Sequence, residues 1–125
     1  MSSAIVITAA DAGFFGLLCD LMLSLEAHKE SREIDVGFFD LGLTAAQRDW
    51  MTPRVTKCVE PGWDFDVPQT WRSDKPHLRA LTVRPFLPQH FPGYDVYIWI
   101  DADVWLQDWR GIELYNLGAR RATSP

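Results

Sequence analysis

Residues 4–10 read AIVITAA, a short run rich in β-branched side chains and apolar on both of its alternating faces. A strand points successive side chains to opposite sides, so a segment without a polar side belongs in a sheet covered on both faces. That is the setting of parallel strands. Parallel neighbours cannot be joined by a tight turn, and each needs a crossover, usually a helix. This one run therefore asks the rest of the chain for alternating strands and helices.

The chain supplies them. Asp11 follows as a helix-capping residue type, with Gly13 and Gly16 in the turn. In FFGLLCDLMLSLEAHKE (14–30), Phe14, Leu18, Leu21, Met22 and Leu25 recur at helical spacing and form the expected buried stripe. EIDVGFFDLG (33–42) reads as a second strand. TAAQRDWM (44–51) reads as a short helix capped by Thr44 and ended by Pro53. RVTKCVE (54–60) is a third strand. Residues 61–76 hold Pro61, Pro68 and Pro76 without periodicity and are predicted to be a long loop, a common place for function. HLRALTVRPFLPQH (77–90) has a helical pattern interrupted by Pro85 and Pro88, YDVYIWI (94–100) is a fourth strand, and residues 109–118 begin another helix. The expected fold is α/β, a Rossmann-like, mostly parallel sheet with helices on both faces. One domain spans residues 1–118, and 119–125 form a loose tail.

Composition narrows the function classes. With 47% hydrophobic residues in 125 positions, the chain can bury a core. A net charge of -5 argues against a nucleic-acid or anionic-membrane surface, which needs clustered Lys and Arg. Cys19 and Cys58 match no zinc or redox spacing and are expected to be buried free thiols in a reducing compartment. No signal-peptide pattern is apparent, and no segment approaches the ~20 apolar residues of a membrane span. A cytoplasmic location is expected.

The fourth strand leads into Asp101-Ala102-Asp103. In an extended segment, side chains two apart share a face, so the two carboxylates are expected to stand together at the carboxyl end of a central strand. Ligands of open α/β sheets bind just outside that edge. Adjacent carboxylates repel unless a proton or cation lies between them, and hard cations take oxygen ligands together with substrate phosphates. The plainer reading is that the pair only ends the strand, and an isolated Asp-x-Asp does not decide between the two.

Order and spacing add to the triplet. Three stretches, IVITAADAGFFGLLCDLMLSLEAH, IDVGFFDLGLTAAQRDWM and KPHLRALTVRPFLPQHFPGYDVYIWIDADVWLQD, occur in the order of a known group. Over residues 4–115 the chain resembles the N-terminal half of GT-A-fold glycosyltransferases, closest to the family 8 type that includes glycogenin and bacterial galactosyl- and glucosyltransferases. The resemblance implies a donor-binding part that transfers a hexose from a nucleotide-diphosphate sugar, usually UDP-sugar, to an unknown acceptor, with Mn²⁺ or Mg²⁺ as cofactor. By position it implies that Thr8 and Ala9 border the base, that Asp11 bonds the base or shapes the turn, and that Phe14 or Phe15 stacks on the base. Lys75 or Arg79 would meet the ribose or diphosphate. Asp101 would contact ribose and metal, Ala102 would offer its amide to the ribose, and Asp103 would ligate the metal. Where the family has an Ala-Tyr pair after the first Asp, this sequence has AGFF. Family members run past Trp109, and their downstream half supplies a metal-ligating histidine and the acceptor site. The chain is therefore expected to be truncated relative to them and to self-associate through uncovered apolar surface. No catalytic residue is assigned.

The alternative is a module that holds a nucleotide or nucleotide sugar without turnover. A response-regulator receiver needs an acidic pair after strand one and a phosphoacceptor Asp after strand three. Here strand one ends in the single Asp11, and strand three in Glu60-Pro61. A phosphatase with Asp-x-Asp carries it after the first strand, not the fourth.

Overall fold

The computed structural model describes residues 4–60, 87–114 and 117. Four parallel strands form one sheet: β1 (Ala4–Ala10), β2 (Asp35–Asp40), β3 (Lys57–Val59) and β4 (Val96–Trp99), in the order β3-β2-β1-β4. The helices are α1 (Phe15–Glu26), α2 (Ala45–Met51) and the single turn α3 (Leu87–His90), and residues 110–114 are also helical. The expected Rossmann-like α/β fold is the observed one.

β1 is central, pairing Ile5–Ala10 with Asp35–Asp40 on one side and Ala4–Ile7 with Val96–Trp99 on the other. Its alternation sorts the core into two layers. Ala4, Val6 and Ala10 pack with Leu18, Leu21, Met22 and Leu25 of α1 and with Met51 of α2. Ile5 and Ile7 face the opposite way and meet Phe39, Leu41, Leu87 and Phe91. Gly37 of β2 lets Phe91 close on the sheet: a Cβ there would stand 2.8 Å from Phe91 Cε1 and 3.1 Å from Ile5 Cδ1. Those distances are well inside ordinary carbon contact.

Several boundaries differ from the expectations. β2, β3 and β4 are shorter than the apolar runs that announce them. Arg54, expected in β3, belongs to a 3-10 turn, Thr52–Arg54, that continues α2 past Pro53, and its guanidinium lies 3.8 Å from the Trp50 ring centroid. Proline is tolerated there because the first positions of a helical turn need no amide donor. Neither cysteine is buried: Cys58 is exposed on the outermost strand, β3, and Cys19 is partly covered on α1. The predicted loop 61–76, and most of the helix predicted over 77–90, lie outside the described residues. Among the described residues, no helix is long and apolar enough to cross a membrane.

Candidate functional site

The strand order reverses between β1 and β4, and at their carboxyl ends the sheet opens into a cleft of about 240 Å³. Its walls are Ala9, Ala10, Asp11 and Phe14 from the first strand and turn, Leu41 from the end of β2, and Asp101, Ala102 and Asp103 beyond β4. Such a reversal is where open α/β sheets bind ligands, because the two crossovers diverge and leave a crevice.

The first wall is held by the backbone. The Leu41 amide donates to Ala10 O at 3.1 Å, and the Ala12 amide to Gly42 O at 3.1 Å. Asp11 accepts the Phe14 amide at its Oδ1, 3.2 Å, capping a 3-10 turn over Ala12–Phe14. That turn delays the start of α1 to Phe15 and corrects the predicted stripe. Phe14 is not buried with Leu18 and Leu21; it is 47% exposed and borders the cleft. Phe15 instead packs edge-on against Trp50 at 5.6 Å. The cap therefore separates two adjacent rings, one toward the cleft and one toward the core.

The second wall is a turn, not a strand. β4 ends at Trp99, and the Ile100 amide makes one more bond to Ile7 O at 2.9 Å. The Val104 amide then donates to Asp101 O at 3.1 Å, closing a four-residue β-turn. No non-glycine residue described has a positive φ, which excludes type II geometry at Asp103 and leaves a type I-like turn. Asp101 and Asp103 thus share the cleft because the chain folds back, and not through the pleat the sequence suggested. Ala102 is buried beneath them while both carboxylate residues are exposed.

Two tethers hold the segment just after this turn to α1 and to the residues that follow that helix. The Leu106 amide donates to Ser24 Oγ at 3.0 Å, and His28 Nε2 lies 3.2 Å from Leu106 O. Trp109 adds its ring beside His28, 6.0 Å between centroids. On the other flank, Trp99 Nε1 donates to Asp101 Oδ1 at 2.8 Å.

The loop after β2, whose Leu41 lines the cleft, is held through Asp40. Its Oδ1 accepts the amides of Gly42 (2.9 Å) and Leu43 (2.8 Å), and its Oδ2 accepts Arg48 Nε at 2.6 Å. Burial pushes this carboxyl up. The two amides and the Arg48 guanidinium outweigh it and hold the group below the ordinary carboxylate range.

Of the residues the sequence singled out, the structure brings Ala9, Asp11, Phe14, Asp101, Ala102 and Asp103 to one cleft. Thr8 is not among its walls. It is buried within β1, and its hydroxyl has no hydrogen-bond partner among the described residues. Lys75 and Arg79 lie outside the described residues. Leu41 and Ala10 were not singled out, although the end of β2 follows once β2 neighbours β1.

Exposed carboxylates in one cleft fit a hard cation in donor type. Among the described residues, no group of three or more His, Cys, Asp or Glu side chains stands close enough to hold a metal by itself. A second hollow of about 410 Å³ runs along β4 past Tyr97, Trp99, Val104 and Ile112, and Asp101 borders both cavities.

No protein-family model, curated protein or solved structure matches the chain.

Proposed function

We propose that the cleft between β1 and β4 binds the nucleotide-diphosphate part of a sugar nucleotide together with a divalent cation, and that the chain is the donor-binding part of a metal-dependent hexosyltransferase. The observation that carries this reading is the convergence of Asp101 and Asp103 with Asp11 and the exposed Phe14 ring on one cleft, at the point where the sheet reverses. The polar and aromatic walls suit the two ends of such a ligand. Phe14 offers a ring face to a base, and Asp11 offers a carboxylate beside it. Asp101 and Asp103 offer oxygen ligands to Mn²⁺ or Mg²⁺. A cation bound there would neutralise the diphosphate as it leaves the sugar. The chain's own part is to fix the carboxylates on a turn anchored at Ile7, Ser24 and His28, so that they need not reorganise when the ligand arrives.

The test is calorimetric titration of the chain with UDP, with and without Mn²⁺, for the wild type and Asp103→Ala. Binding that requires Mn²⁺ and disappears in the variant is expected. A wild-type protein that binds no UDP under either condition would overturn the reading. Binding of a UDP-sugar with neither hydrolysis nor transfer would place the chain in the nucleotide-holding class instead.

A further inference from the structure

The hollow along β4, about 410 Å³, belongs to the edge of that strand rather than to either face of the sheet. Val96, Ile98 and Ile100 sit in the core layer shared with α1, while Tyr97 and Trp99 pack against the opposite layer. All five line the hollow. Side chains of both faces meet one cavity only along the edge of the strand that carries them. β1 occupies one edge of β4, so the hollow lies along the other. The chain beyond the acidic turn returns to flank it, and Val104, Leu106, Gly111 and Ile112 form the far wall. The walls are mostly aliphatic and aromatic, and among the described residues Asp101 is the one charged side chain in them. Asp101 also lines the cleft, so the two cavities adjoin at that residue.

We infer that the hollow holds the apolar body of the acceptor, an alcohol built on a hydrocarbon chain or ring, with its hydroxyl end toward Asp101 and the cleft. This inference rests on the donor-site reading above and names the acceptor's chemical class. The hollow has the size of a small-molecule pocket, ~300–1,000 Å³, and such sites are mostly apolar with a few polar groups. A free sugar or a charged peptide would press hydroxyls or charges against Val104, Leu106 and Ile112, where they find no side-chain partner, and that is unfavourable. A hydrocarbon gains there by leaving water. Its hydroxyl alone needs polar surroundings, and the charged residue of the hollow is also a wall of the donor cleft. In the transfer this implies, the hydroxyl oxygen bonds to the anomeric carbon of the sugar. That carbon's bond to the diphosphate breaks, its electron pair leaves with the diphosphate, and the hydroxyl proton ends there too.

The experiment follows octanol by nuclear magnetic resonance with the full chain at saturating UDP, with either Mn²⁺ or diamagnetic Mg²⁺. It compares wild type, Gly111→Leu and Val104→Ser. A Cβ at Gly111 would meet no atom within 4 Å, so leucine adds bulk to the wall without a backbone clash. Bound Mn²⁺ speeds the relaxation of nearby protons. In the wild type the enhancement is expected to be largest at the hydroxyl-bearing carbon and to fall toward the terminal methyl. From hexanol to octanol, affinity should rise about fourfold for each added methylene. Gly111→Leu is expected to lose octanol binding while keeping the thermal midpoint and the affinity for UDP with Mn²⁺. Val104→Ser, an exposed change in the same wall, should weaken octanol binding and leave the donor site intact. No enhancement in a wild type that binds UDP with Mn²⁺, an enhancement largest at the terminal methyl, or one unchanged in both variants would overturn the inference and leave the donor site standing. A chain that light scattering shows to be paired, and that Gly111→Leu separates without any alcohol binding, would assign the hollow to a second copy and overturn it as well. A wild type without Mn²⁺-dependent UDP binding would remove the donor-site reading, and the acceptor assignment with it.

Discussion

Asp40→Asn isolates one charge that holds the loop carrying Leu41 into the cleft. Asparagine keeps an acceptor for the Gly42 and Leu43 amides but gives up the negative charge that strengthens both bonds. Hydrogen bonds to a charged group exceed neutral ones by about 1 kcal/mol each. The ion pair with Arg48 is lost too, but that side chain is solvent-exposed, so the pair adds little. The neutral amide also escapes the burial cost of the charge, which opposes these losses, so the variant should be less stable near neutral pH by about 1 kcal/mol, less than their sum. The acid limb gives the sign. The folded pKa of Asp40 lies below its unfolded value, so its stabilisation is complete above that unfolded value, about pH 4, and is lost as pH falls through the folded pKa. Urea unfolding followed by circular dichroism, repeated at neutral pH and down the acid range, should show the gap narrowing as wild-type Asp40 becomes protonated and resembles the amide. A gap of constant size across that range, or no gap at neutral pH, would refute the assignment of the stability to the charge.

Phe14→Ala should weaken binding of UDP with Mn²⁺ by the ~1–3 kcal/mol of a lost base–aromatic contact, with folded stability nearly unchanged because the ring is exposed; unchanged affinity in calorimetry would remove the base from that wall. Tyr94 donates to Asp35, and that bond, with burial and the carboxylate's charge, raises its phenol pKa to about 12. Its contribution to stability is present below the unfolded value near pH 10 and is lost as pH rises through about 12. An absorbance titration of the tyrosines should lose its highest phase in Tyr94→Phe, and a titration curve identical to wild type would contradict the assignment.

β1 was legible to the residue because its seven positions are apolar on both faces and Asp11 stops them. The cap of α2 was equally plain: Thr44 accepts the Gln47 amide, and Gln47 Oε1 accepts the Thr44 amide in return, a pairing that the Thr-x-x-Gln spacing announces. The acidic turn was found as a place but not as a geometry. The period-two argument was extended past the predicted strand, 94–100, to Asp101 and Asp103, and only the Val104 amide bonding back to Asp101 O shows that the pair stands on a turn. The roles of Phe14 and Phe15 were open for a similar reason. A capping aspartate can begin either an α-helix or a 3-10 turn, and a one-residue difference exchanges which ring is buried.

The bond from the Leu106 amide to Ser24 Oγ joins residues 82 positions apart. Closing so long a stretch has an entropic cost that local contacts do not offset, so long-range pairings of this kind form late. The first wall of the cleft, from Ala9 to Phe14, needs only β1, the turn and its neighbour β2. The second wall needs α1 already docked on the sheet to receive Leu106. By that reasoning the aromatic wall is expected to form before the acidic one. An ion gripping both carboxylates would act as a clasp on that second wall, whose bond to Ser24 joins parts of the chain far apart in sequence.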